Sequence, residues 1–259
     1  TKESVDFDSD EELEMHKRRE LVNGAYEMTE DALQIDLLNS AGLVRFGGDA
    51  VSRGTITGEG TISLLTFKDI SRLSRDLTDN KCPMKTTMIT GSRMTDTRTI
   101  QGARFAYIGS ALQPMLEQMV DSFGKPAFVY AHQYADATTI AEGEIGSIGQ
   151  LRFIVAPKML HWAGAGATVG TNEGYRETDG KYDVFPMLVV GDDSFNTIGF
   201  QSDGKSSKFK IKHVKPESDI AYGAHDPYGE KGFTSIKWYY GFLAVRPERI
   251  ALVQCVAEW

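Results

Sequence analysis

The chain has 259 residues, 41% of them hydrophobic and 25% charged, with a formal net charge of −8. That is enough apolar material for a core in one large domain or two small ones, and thirteen Phe, ten Tyr and three Trp exclude a disordered chain. The acidic balance excludes a dedicated nucleic-acid binder, which carries a basic domain, and no apolar run approaches the roughly 18–20 residues of a membrane helix.

The first residues, TKESVDFDSDEELEMHK, contain no initiator Met and no signal-peptide pattern, so an upstream segment is expected to be missing. The acidic run from Asp6 to Glu14 leads into helical spacing: Leu21, Ala25, Met28, Ala32 and Ile35 form a heptad-like stripe, widened by Val22, Tyr26, Leu33 and Leu37. This predicts a helix over about Glu11 to Asn39, roughly 40 Å long. Such a helix needs a partner surface along its whole length. Acidic residues suit its start, and Gly24 costs it about 1 kcal/mol relative to Ala.

A turn-rich stretch with six glycines between Gly42 and Gly60 comes next. Thr66 and Asp69 then form a capping box ahead of a second helix with Phe67, Ile70, Leu73 and Leu77 on one face, stopped by Asn80 and Pro83. Met84–Ile89 and Arg104–Gly109 read as strands, and a short helix spans about Ala111 to Val120, with Pro114 in its first turn. From Gly143 the pattern is mostly β. Leu151–Ala156, Val184–Val190 and Phe195–Phe200 are strand-like, and the first two are apolar enough to be buried on both faces. The polar, Gly-rich excursion from His161 to Lys181 reads as a surface loop. Two strands, Phe233–Val245 and Arg249–Ala257, close the chain; Ile236, Trp238, Tyr240 and Phe242 share one parity and one sheet face. The fold class is α+β, with a long helix packed on sheet.

The residues offer little chemistry. Gly199–Ser206 fits the phosphate-cradling pattern G-x-x-x-x-G-K-[ST], but that loop must open a helix. Here Phe209, Ile211 and His213 alternate with Lys208, Lys210 and Lys212, which is strand periodicity, and Asp203 adds a carboxylate beside the phosphate site. A hairpin turn is the expected structure, with nucleotide binding as the alternative. The lysine row is either a solvated, edge-guarding face or a contact for acidic groups on a partner. His161–Gly170 lacks the strand-to-helix setting of a dinucleotide fingerprint and is expected to be a flexible loop. The five histidines show no metal-binding spacing, and no G-x-S-x-G elbow occurs. Cys82 and Cys255 stand outside any Cys-x-x-Cys pair and are expected as buried thiols. No catalytic, cofactor or metal site is expected.

Several stretches together resemble the major capsid proteins of N-four-like podophages, a branch of the HK97-like capsid fold. They are TGSRMTDTRTI (Thr90–Ile100), AHQYAD (Ala131–Asp136), GEIGSIGQLRFIVAPKMLHWAGAGA (Gly143–Ala167), YDVFPMLVVGDDSFNTIGFQSDGK (Tyr182–Lys205), DPYGEKGFTSIKWYYGF (Asp226–Phe242) and RPERIALV (Arg246–Val253). The long helix and DLLNSAGLVRFGG (Asp36–Gly48) fit the same pattern, so the resemblance covers nearly the whole chain in order.

The resemblance implies a non-enzymatic shell subunit that joins as hexamers and pentamers into an icosahedral capsid around double-stranded DNA, without sequence-specific binding and without a membrane. Portal, scaffolding or decoration proteins are further expected partners, and the virion, with the host cytoplasm during assembly, is the expected location. In domain terms it implies a peripheral (P) domain part over 1–85 containing the spine helix at about 11–39, a mostly axial (A) domain over 86–225, and closing P-domain strands over 226–259. The family's N-terminal arm and extended loop have no counterpart in this sequence. Met28 and Ile35, one heptad apart, are expected to pack on the sheet carrying Trp238 and Tyr240, and these four residues are the candidates for packing and assembly.

Overall fold

The helical spacing after Asp10 is realised as α1 (Asp10–Ser40), 31 residues long, close to the predicted bounds. The computed structural model describes residues 10–58, 60–89, 97–102, 104–134, 140–170, 174–197, 209–214 and 232–259. The fold is mixed α+β, with one large sheet and few helices. The chain divides into two compact units. Unit 1 comprises Thr1–Leu33 and Thr197–Leu243, and unit 2 comprises Gln34–Asn196 and Ala244–Trp259.

Unit 2 is organised by a seven-stranded sheet. Its strands are β1 (Leu43–Phe46), β4 (Arg104–Ile108), β5 (Val129–Tyr130), β6 (Glu144–Ile148), β7 (Leu151–Val155), β10 (Phe185–Val190) and β15 (Ile250–Cys255), in the spatial order β1-β15-β10-β4-β7-β6-β5. The β1/β15 and β4/β7 pairs are parallel and the rest antiparallel. Two short ribbons accompany the sheet, β2 (Lys85–Ile89) with β3 (Thr97–Gln101), and β8 (Glu177–Thr178) with β9 (Lys181–Tyr182).

The central strands are apolar at nearly every position because both faces are covered. Ala106 and Ile108, Leu151 and Phe153, Met187 and Val189, and Ala251 and Val253 share one core with α2 (Phe67–Asp79) and α3 (Gln113–Glu117). α2 enters that core through Ile70, Leu73 and Leu77. Its start is fixed by the expected box: the Asp69 N–H donates to Thr66 Oγ1 at 3.3 Å, and the Thr66 N–H donates to Asp69 Oδ2 at 3.1 Å. On the opposite parity, Phe105 and Ile154 pack with Ala141, while Ile56, Tyr182, Val184 and Val256 form a separate cluster. Pro186 is tolerated inside β10 because the register with β4 begins only at Met187↔Ile108.

Two buried arginines sit on the central strands. Arg104 is 1% exposed. Its guanidinium donates to the carbonyls of Cys82 (2.6 Å) and Ser74 (3.2 Å) and to Thr78 Oγ1 (3.2 Å). It therefore ties the C-terminal end of α2 and the turn after it to the sheet, where the helix dipole favours a cation. On β7, Arg152 meets the buried Glu144 of β6 through Nε (2.5 Å) and Nη2 (2.8 Å). The Ala141 N–H donates to the same carboxylate at 2.9 Å. GEIGSIG is thus a structural motif. Glu144 neutralises a buried cation, and Gly146 lets the Phe128 ring and the Val129 carbonyl approach so closely that a Cβ would overlap both.

Three expectations change. The expected helix at 111–120 is a 3-10 turn at Ser110–Leu112 followed by the five-residue α3. The segment from His161 is a loop at the surface, as expected, but a hydrogen-bonded one held along β9 rather than a flexible one. Trp162 and Val184 exchange backbone bonds at 2.9 Å, the Gly166 N–H donates to the Tyr182 carbonyl (2.9 Å), and the Val169 N–H donates to the Gly180 carbonyl (2.9 Å). Gly166 is there because a Cβ would stand 2.8 Å from the Tyr182 carbonyl oxygen, so backbone approach rather than flexibility explains it. Finally, the closing segment breaks into β13 (Phe233–Trp238) and β14 (Phe242–Ala244). β14 pairs with β11 (Phe195–Thr197), whereas β15 lies between β1 and β10.

Candidate functional site

Unit 1 contains α1 as far as Leu33 and a two-stranded antiparallel ribbon, β12 (Phe209–Val214) with β13. Strand alternation gives the ribbon two distinct faces. Ile211 pairs with Ile236 and His213 with Thr234, where His213 Nδ1 and Thr234 Oγ1 lie 2.6 Å apart. The other parity carries Lys210 opposite Lys237 and Lys212 opposite Ser235, all exposed.

Between α1 and the ribbon lies an open, mainly apolar groove of about 810 Å³, lined by Leu21, Gly24, Ala25 and Met28 of the helix and by Ile236 and Trp238 of β13. Ala25 is buried, while Leu21, Ile236 and Trp238 are half-buried. At Gly24 the groove is open beside the helix, since a Cβ there would meet nothing within 4 Å. Phe233 also lines the groove and is 48% exposed.

Of the four residues singled out from sequence, Met28 and Trp238 line this one groove. Tyr240 is half-buried in unit 1 outside the groove lining, and Ile35 belongs to unit 2. The expectation that Met28 and Ile35 are packed away within the chain is corrected: they are 62% and 49% exposed. Of the predicted face, α1 buries Ala25 and Leu37, half-buries Leu21, Val22, Ala32 and Leu33, and leaves Tyr26, Met28 and Ile35 exposed; Leu38 is buried besides. Within unit 1 the helix meets an open groove rather than a continuous sheet, so Met28 lines it without being covered. On β13 and the two residues after it the expected parity holds, with Ile236, Trp238 and Tyr240 half-buried and Ser235, Lys237 and Tyr239 exposed.

The phosphate-loop-like segment Gly199–Ser206 lies outside the described residues. Beyond it, Phe209–Val214 forms strand β12 rather than a helix. Among the described residues, no group of three or more His, Cys, Asp or Glu side chains is placed to hold a metal, and no helix is long and apolar enough to cross a membrane. Both cysteines are free and buried. Burial pushes the Cys255 thiol up to about 12 and raises that of Cys82, so both stay protonated and unreactive near neutral pH. Sequence reasoning assigned no role to Arg104, Glu144 or Arg152. The signal for the arginines was a cation inside an otherwise apolar strand, in RFAYI and LRFIV.

No protein-family model matches the chain. Over all 259 residues it is 52% identical to the major capsid protein of Pseudomonas phage KPP21, and it spans 64% of that protein's length. A distant likeness, with 10% identity and a TM-score of 0.39, covers 83% of this chain and 54% of a chain in the capsid structure of the cyanophage P-SCSP1u; that score is too low to define the fold.

Proposed function

We propose that the chain is a structural subunit of an icosahedral phage capsid, acting by assembly rather than catalysis. The observation that carries this reading is the 52% identity to a phage major capsid protein, in an alignment that covers the whole chain. The open groove and the exposed Met28, Ile35 and Phe233 support it, because an isolated chain leaves large apolar side chains in water that neighbouring copies would cover. In this reading the copies form hexamers and pentamers that enclose double-stranded DNA without reading its sequence, in the virion and, during assembly, in the host cytoplasm. Portal, scaffolding and decoration proteins are the further partners.

At the finer level we read the fold as HK97-like and the phage as N-four-like. α1 is then the spine helix of a P-domain that starts within 1–85 and closes within 226–259, with 86–225 mostly A-domain. Sheet pairing crosses those bounds, since β15 and β1 share one sheet with β10, β4 and β7. Unit 1 holds most of α1 together with β13, and unit 2 joins the A-domain strands to β1 and β15, so neither unit coincides with one of these domains. Met28, Ile35, Trp238 and Tyr240 act in contacts between subunits. Nucleotide binding through Gly199–Ser206 is disfavoured by the strand at Phe209–Val214.

Electron microscopy of the intact protein expressed with its scaffold tests the proposal. Closed shells with five- and six-fold capsomers are expected. A protein that stays monomeric under every assembly condition, or that binds ATP at micromolar concentration and loses this with Lys205→Ala, would overturn it.

A further inference from the structure

We infer that the lysine face of the unit 1 ribbon is a docking surface for the acidic start of α1 from a second copy of the chain. The inference rests on the capsid reading and adds a specific contact to it. Lys210 and Lys237 are direct cross-strand partners, and Lys212 stands one alternation further along β12 on the same face. Like charges placed directly opposite destabilise a strand pair, so the chain carries this arrangement at a cost to its own ribbon. Among the described residues, no carboxylate forms an ion pair with any of the three, and Lys237 instead lies over the Tyr239 ring at 5.3 Å. The groove beside α1 of the same chain is lined from the other parity by Thr234, Ile236 and Trp238, and from the lysine parity only by Val214 and Phe233 at one end of the ribbon. Lys210, Lys212 and Lys237 are exposed and form no part of its lining.

The choice of partner rests on charge. The chain is acidic overall, at −8, and its densest charge run is Asp6, Asp8, Asp10, Glu11, Glu12 and Glu14, six carboxylates in nine positions. Phosphates of a nucleic acid would also suit lysines, but three cations neutralise few phosphates, and the net negative charge of the whole chain repels a polyanion. A second copy brings the complementary run in fixed stoichiometry, and opposite charges across an interface set register and suppress wrong partners.

The experiment is a charge-reversal exchange on the intact protein. One variant carries Lys210→Glu, Lys212→Glu and Lys237→Glu; another carries Glu11→Lys, Glu12→Lys and Glu14→Lys; a third combines both sets. Particle yield, DNA content and melting temperature are measured for each. Each single set is expected to lower particle yield at least about tenfold, and the combined variant to recover most of it. A milder set, Lys210→Gln, Lys212→Gln and Lys237→Gln, guards against misfolding: its melting temperature should hold or rise, because cross-strand repulsion is removed, while its yield falls. A combined variant no better than either parent would overturn the inference. So would lysine variants that form normal shells with less DNA, which would make phosphate the partner. If the wild type forms no shell, the capsid reading fails; the same rescue pattern in self-association by sedimentation would still support the pairing, and its absence would overturn it.

Discussion

Units 1 and 2 solve the burial problem differently. In unit 2 the sheet is covered on both parities, its two central arginines are satisfied by carbonyls or by a carboxylate, and Leu73, Phe153 and Val253 are fully enclosed. In unit 1 a helix and a two-stranded ribbon enclose an open groove and leave Met28 and Phe233 largely in water. A two-stranded ribbon is marginal by itself. Unit 2 has a closed core, with Ile35, Phe123 and Trp259 exposed outside it, whereas unit 1 leaves its apolar groove open. Substitutions in the unit 2 core should therefore show in folding, and substitutions of exposed apolar residues such as Met28 and Ile35 in assembly.

The largest effect should come from Phe153→Ala. Its ring is fully buried between the sheet and the α2 face, and its loss should cost about 3–5 kcal/mol, measured by urea denaturation. Arg104→Leu comes next at about 3 kcal/mol, because the Cys82 and Ser74 carbonyls lose their buried donor while the apolar bulk is kept. Gly146→Ala should cost about 1–3 kcal/mol, since the new Cβ meets the Val129 backbone as well as the Phe128 ring. A change below about 0.5 kcal/mol at any of these three positions would erase the contrast between the units.

Much of unit 2 was legible in the sequence, and the reasons are local. The Thr66–Asp69 box and the Ile70, Leu73, Leu77 spacing specify α2 by themselves, and continuous apolar runs mark β7, β10 and β15. Strand order was not legible, because β1 and β15 pair across some two hundred residues and nothing local encodes that. The Gly-rich loop's close backbone approach was not legible because glycine density signals both looseness and tight approach, and Gly166 is the second case. On α1 the helix was correct and its buried face only in part: Ala25 and Leu37 are buried, while Tyr26, Met28 and Ile35 are exposed. Apolar residues lie around much of its circumference, so spacing alone does not say which of them find cover.

Smaller effects sharpen the comparison inside unit 1. Gly24→Ala should stabilise the isolated chain by about 1 kcal/mol, because the helix gains propensity and the added Cβ meets no atom. The same variant should assemble less well if a neighbour fills the groove. Melting and particle yield would then move in opposite directions, and a parallel rise in both would mean that the groove stays empty in the shell.

Met28→Asp tests the central claim most directly. Met28 is 62% exposed in the single chain, so the substitution should change folding stability by less than about 0.5 kcal/mol. In a shell the same carboxylate would be buried against a neighbour without a partner, at a cost of several kcal/mol. Sedimentation under assembly conditions, with Ile35→Asp alongside and Glu30→Asp as the control, should show soluble folded subunits and no particles for both apolar replacements, and normal particles for Glu30→Asp. Particles at wild-type yield from Met28→Asp would contradict the account.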